Sequence, residues 1–226
     1  MRVLTVEEQR KLLVAVQNDR LCAAFMLDLA TGLRLGELLG LRWNDIDLDN
    51  GVLSVKRSIT RVKNFDDKVK TKTVLIVQEP KSKSGRRSIP IQENVVKTLR
   101  QYRTRQKAER LAAGESYMDN DLVFSTEIGN LIEPRNLLRR YYILVSKAGI
   151  PWANFHSLRH TCATRLLEAN VHPKIVQEIL GHSNITLTLD TYSHVMPELK
   201  KAAIAKLDNL FDLQKEIPSN KEGTQA

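Results

Sequence analysis

The sequence predicts a mostly α-helical α+β fold in which several helices surround a small antiparallel three-stranded sheet. Three observations lead there. Apolar residues recur at helical spacing towards both ends of the 226-residue chain, β-prone runs are confined to its middle, and Gly or Pro stands at several of the junctions.

Taken in order, Thr5-Val6-Glu7-Glu8 is a capping-box pattern, followed by Leu12, Leu13 and Val16 and then Phe25, Met26 and Leu29 at helical spacing. Helices therefore open the chain. Gly32 and Gly36 interrupt the next apolar stretch, so Thr31-Gly32-Leu33-Arg34 reads as a turn into a short helix carrying Glu37 to Leu41. After Trp43, residues 52–55, 73–77 and 88–91 are β-prone and separated by polar turns, which supplies the three strands. The helical period returns over residues 92–112, 134–148, 156–169 and 173–180. Pro134 and Pro173 suit first helical positions, and Gly181 suits a helix end. A last amphipathic helix over residues 199–215 puts Ala203, Ile204, Leu207, Leu210 and Phe211 on one face. Residues 1–215 thus read as one domain and 216–226, rich in Ser, Asn, Lys and Gly, as a disordered tail.

Net charge is +9, and it is unevenly spread: residues 1–55 carry −2, residues 56–110 carry +12, and residues 111–226 carry −1. Such a block is an electrostatic footprint for a polyanion, most often nucleic acid. The 42% hydrophobic content excludes disorder outside the ends, and no apolar run approaches the ~20 residues a bilayer requires. Residues 1–20 lack a signal-peptide core, so a soluble, cytoplasmic protein is expected. Cys22 and Cys162 make no disulfide scaffold and read as buried small apolar residues in a reducing compartment.

All five histidines (His156, His160, His172, His182 and His194) fall between positions 156 and 194. His156 and His160 have the spacing of a zinc pair, but the Glu of HExxH is missing and no CxxC occurs, so a metal site is disfavoured. His156 and Arg159, at i and i+3, share one helix face and set an imidazole beside a permanent cation. That pair suits a phosphate. Arg34 follows a glycine turn inside an apolar stretch, where burying a guanidinium is costly unless an anion pairs with it.

The boxes Ala30-Thr31-Gly32-Leu33-Arg34-Leu35-Gly36-Glu37-Leu38-Leu39-Gly40-Leu41, His156-Ser157-Leu158-Arg159-His160-Thr161, Leu180-Gly181-His182 and Thr191-Tyr192-Ser193-His194 resemble those of the tyrosine recombinase (phage integrase) family, in that family's order and spacing. The resemblance spans residues 4–195 and is to the catalytic domain. It implies that Arg34, His156, Arg159 and His182 bind the scissile phosphate and that Tyr192 is the nucleophile. Lys81, in Pro80-Lys81-Ser82-Lys83, resembles the catalytic lysine of a β-hairpin, with Lys83 two residues away as the competing candidate. Glu37 matches an acidic position expected to form an orienting ion pair.

The implied reaction is site-specific cleavage and rejoining of double-stranded DNA through a 3′-phosphotyrosyl intermediate, as in integration and excision of mobile elements or phage. The residue chemistry agrees. Attack on a phosphodiester builds negative charge that preorganised cations stabilise, and a phenol with a reference pKa of about 10 requires a base or strong anion stabilisation nearby. His156 is the candidate proton acceptor, His182 a further donor, and Lys81 the acid for the departing 5′-oxygen. Neither a GxxxxGK[ST] loop nor an acidic cluster for Mg²⁺ is present, so no cofactor, metal or ATP is expected. Lys56, Arg57, Lys83, Arg86 and Arg87 are the expected DNA-backbone contacts. The resemblance further implies a homotetramer on DNA, a C-terminal helix (198–215) docking either on its own core or on a neighbouring subunit, and an N-terminal core-binding domain absent from this chain. Two other readings stand beside it: a DNA-binding module that keeps the fold without strand exchange, and a zinc-dependent nuclease built on the histidines.

Overall fold

The structure, a computed structural model, describes residues 2–64, 72–79, 85–191, 201, 204, 205 and 207. The expected helix over 199–215 and the tail thus fall almost wholly outside the described residues. Eight helices are present among them: α1 (Val6–Val16), α2 (Cys22–Thr31), α3 (Leu35–Leu39), α4 (Glu93–Ala113), α5 (Pro134–Lys147), α6 (His156–Glu168), α7 (Pro173–Leu180) and α8 (Ile185–Thr191). The strands are β1 (Ile46–Asp47), β2 (Val52–Val55), β3 (Ser58–Lys63), β4 (Thr73–Gln78) and β5 (Arg87–Pro90).

Local chemistry accounts for several boundaries. The capping box opens α1: the Thr5 hydroxyl accepts from the Glu8 N–H at 3.1 Å, and the Glu8 carboxylate accepts from the Thr5 N–H at 2.9 Å. Pro134 and Pro173 start α5 and α7, and Gly181 ends α7 at φ +68°.

The three-stranded antiparallel sheet has the order β1-β2-β5, with Leu53 opposite Ile89 and Ile46 opposite Leu53. Its membership differs from expectation. Residues 73–78 pair instead with Ser58–Lys63, a strand the sequence did not reveal, in a separate hairpin running from Ser58 opposite Gln78 to Lys63 opposite Thr73. Only Ile59 of β3 is buried, so that strand lacks the alternation that marks a half-buried strand, and its pairing is set by the backbone. Gly36 of α3 makes the attachment to the domain possible. A Cβ there would stand 2.4 Å from the Ile59 carbonyl oxygen and 2.6 Å from the Ser58 hydroxyl.

One core cluster draws on α1 to α5, the sheet and the segment entering α6, and a smaller one joins α6 to α7 through Ala163, Leu167, Val176 and Leu180. Phe25 of α2 packs against Tyr141 and Phe155 at ring-centroid distances of 6.1 and 6.5 Å. This buries α2 along most of its surface, and it carries one charge-bearing group inward. Asp28 is fully buried, and neither of its carboxylate oxygens has a hydrogen-bond partner. Burial drives its pKa well above the usual carboxylate value, against the opposing field of Arg159.

Two outcomes follow for stability. The folded chain holds the Asp28 proton more tightly than the unfolded chain does, so stability falls as pH rises above the ordinary carboxylate range. Asp28→Asn should therefore raise stability by about 1 kcal/mol or more at about pH 8, with the gain vanishing in acid, as read by denaturant melts across pH. Gly36→Val should cost about 2 kcal/mol or more in the same melts, because a backbone carbonyl cannot rotate out of the way as a side chain can.

Candidate active site

The site is assembled on the C-terminal end of α7. There, three successive carbonyls each accept from a different guanidinium. Arg87 Nε donates to Ile179 O at 2.6 Å, Arg159 Nη2 to Leu180 O at 2.7 Å, and Arg34 Nη2 to Gly181 O at 3.3 Å. Terminal helix carbonyls have no intrahelical donor and carry the negative end of the helix dipole, so they hold cations without adding a formal charge. Arg159 also donates through Nη1 to Gly32 O at 2.6 Å. Gly32 caps α2 at φ +62°, and a Cβ there would lie 2.8 Å from Leu180 Cδ2 and 3.4 Å from Arg159 Cγ. Glycine is thus favoured by the left-handed turn and by the close approach of the Leu180 side chain.

Glu37 joins two of the three cations. Its carboxylate accepts from Arg34 Nη1 at 2.8 Å and from the Arg34 backbone N–H at 2.9 Å, and it accepts from Arg87 at 3.2 and 2.9 Å. Burial raises the pKa of this carboxyl, but the hydrogen bonds and charge of Arg87, then those of Arg34, more than offset that and keep it below its ordinary value. The ion pair expected of Glu37 is therefore formed. Arg34 leaves 44% of its side chain exposed, whereas Arg159 is only 2% exposed. One guanidinium reaches solvent and the other is sunk into the floor.

His156 is the first residue of α6 and is exposed; its ring meets that of His160 edge-on, with centroids 4.5 Å apart. His182 follows the Gly181 cap of α7, and its Nδ1 lies 2.8 Å from the hydroxyl of Thr188, a fully buried residue of α8. Partial burial, and then the positive fields of Arg159 and Arg34, lower the pKa of His156. Burial with the same arginines and Arg87 takes His182 down to about 4. His160 falls to about 4 through burial, His156 and Arg159. At neutral pH His160 and His182 are therefore uncharged, and the formal positive charge at this site comes from the guanidiniums. Among the described residues no group of His, Cys, Asp and Glu is arranged to hold a metal ion.

Arg34, Arg159 and His182, expected from the sequence, converge at this helix end, and His156 lies within the field of both arginines. Tyr192, Lys81 and Lys83 lie outside the described residues, although Thr191 ends α8 directly before Tyr192. Of the expected backbone contacts, Lys56 and Arg57 both pair with Asp45, Lys56 with 54% of its side chain exposed. Arg86 is 59% exposed and pairs with Glu79. These three border a groove of about 590 Å³ between the two sheets. Arg87 lines the same groove but is placed differently: its side chain is only 7% exposed, and it donates to both Glu37 carboxylate oxygens, to Ile179 O of α7 and to Gly85 O. Sequence reasoning also missed Thr188, for which no local signal exists beyond its place four residues before Tyr192 in the sequence.

No helix among the described residues is long and apolar enough to cross a membrane. The sequence profile of the Phage integrase family matches residues 2–198. A tyrosine recombinase XerC-like protein of Caldanaerobacter subterraneus subsp. tengcongensis is 44% identical over 209 residues, which is 91% of this chain and 53% of that protein. The transposase from transposon Tn916 of Enterococcus faecalis is 27% identical over 217 residues, covering 91% of this chain and 51% of its own. The chain thus spans about half the length of these curated relatives. Among solved structures, the Tn1549 transposon integrase in complex with a circular intermediate DNA superposes with a TM-score of 0.72 at 29% identity, covering 91% of this chain and 66% of that one. With residues of three of its sequence boxes meeting at one helix end and a family profile matched over residues 2–198, this chain belongs to the phage integrase family.

Proposed function

We propose that this chain is the catalytic part of a site-specific DNA recombinase that cleaves and rejoins strands through a 3′-phosphotyrosyl intermediate, on cytoplasmic DNA, in the movement of mobile elements or phage. The observation that carries the reading is the convergence of Arg34 and Arg159 on the α7 carbonyls beside His156 and His182. Two permanent cations fixed before substrate arrives, with uncharged imidazoles beside them, suit a phosphodiester whose nonbridging oxygens gain charge during attack. Arg34, the exposed guanidinium, is the first to meet the phosphate. Arg159 supplies a fixed field from below.

In this reading Tyr192 attacks phosphorus, its proton passes to His156, and the 5′-oxygen leaves with a proton from Lys81. His182, oriented through Thr188, donates a further hydrogen bond to the phosphate. The tyrosyl ester keeps the energy of the broken phosphodiester, so attack by a 5′-hydroxyl rejoins the strand without ATP. Two duplexes each cut on both strands require four active sites, and a homotetramer on DNA follows. Lys56, Arg57 and Arg86, along the groove between the sheets, are the proposed backbone contacts.

A nicked suicide duplex should trap a covalent protein–DNA adduct that survives denaturing gels, forms in EDTA and disappears in Tyr192→Phe. An adduct persisting in that variant would overturn the assignment of the nucleophile. Affinity for duplex DNA should fall at least about 100-fold between about 50 and 200 mM salt, as expected when several phosphates are neutralised. A flat response in a binding titration would sink the backbone-contact reading.

A further inference from the structure

Arg86 and Arg87 are neighbours in sequence and opposites in placement. The side chain of Arg86 is 59% exposed, whereas that of Arg87 is 7% exposed. Arg87 spends its fork on two separate elements: Nε on the Ile179 carbonyl of α7, and Nη1 and Nη2 on the two Glu37 oxygens of α3. Nη1 also reaches Gly85 O at 3.3 Å, within its own segment. A lysine, with one compact ammonium, could not span these acceptors.

We propose that Arg87 is a positioning residue for the phosphate site: it holds Glu37 and, through Glu37, the solvent-facing Arg34, while locking β5 to the helix end on which Arg34 and Arg159 are seated. This rests on the recombinase reading above and departs from a DNA-contacting role for Arg87. The charged groups facing Glu37 are Arg34 from the turn before α3, Arg87 from β5 and Asp28 from α2. Asp28 is itself driven towards its neutral form by burial, and Arg34 is 44% exposed and so partly screened. Arg87 is therefore the main partner that keeps the buried Glu37 carboxylate charged. Without it, burial would protonate Glu37 at higher pH, and Arg34 would lose the anchor that aims it.

The test compares wild type with Arg87→Met, Arg87→Lys and Glu37→Gln. Single-turnover cleavage of the suicide duplex at saturating DNA is measured across pH, and duplex affinity is measured across salt. Arg87→Met should keep affinity within about twofold and leave the salt slope unchanged, since no phosphate contact is lost. Its cleavage should fall by about 10-fold to 100-fold, and the acid limb of the pH profile should move to higher pH. Arg87→Lys should fall between the two, and Glu37→Gln should be slow without that limb. Adding Arg87→Met to Glu37→Gln should cost little more, because both act through one link. Should Arg87→Met fail to fold, the shift in Arg87→Lys carries the same test. A salt slope reduced by about one with normal cleavage at saturation would make Arg87 a phosphate contact and overturn the proposal. A loss equal at every pH would overturn it as well, in favour of packing alone. If wild type formed no adduct, the recombinase reading would fail first. The Arg87–Glu37 link would then be read in the free protein, where NMR titration of Glu37 should shift upward in Arg87→Met, and an unshifted titration would reject it.

Discussion

The C-terminal end of α7 is where this structure solves its main electrostatic problem. Three guanidiniums repel one another, and burying even one of them, as Arg159 is buried, costs several kcal/mol unless it is compensated. Carbonyls of Ile179, Leu180 and Gly181 supply that compensation as fixed dipoles, one to each arginine. Because they are partial charges, they hold the cations in place without neutralising them. The positive potential at this helix end therefore survives. Gly32, Gly181, the close approach of α2 to α6 and the placement of α3 all serve this one arrangement.

The carboxyls show the other side of the same balance. Glu37 is held charged between two arginines, while Asp28, with no hydrogen-bond partner, is pushed towards its neutral form. One formal negative charge beside the site is enough to aim Arg34. A second would weaken the positive field of the arginines. The histidines follow the same logic: burial and then the arginine fields lower their pKa, which disfavours the imidazolium form.

Much of this was legible in the chain. The capping box at Thr5, the prolines opening α5 and α7 and the glycine closing α7 are local signals, and each boundary fell where the signal stood. The neighbourhood of His156 and Arg159 was legible too, since spacing alone sets them on one face of α6. Strand partnership was less so. Ser58–Lys63 has no alternating burial, so nothing in its own residues marked it as the partner of Thr73–Gln78.

By itself, then, the sequence located α1 to α7 and the concentration of positive charge in residues 56–110, and it left α8 unmarked. It could not divide that charge by role, because Arg86 and Arg87 look alike along the chain. Only the tertiary structure decided that Arg87 turns inward, that Thr188 orients His182 and that Asp28 stands unpartnered behind Arg159. The physical reason is range. Capping and helical periodicity act within about four residues, whereas Arg87 meets Ile179 and Arg159 meets Gly32 across most of the domain, and burial there sets both partner and charge state.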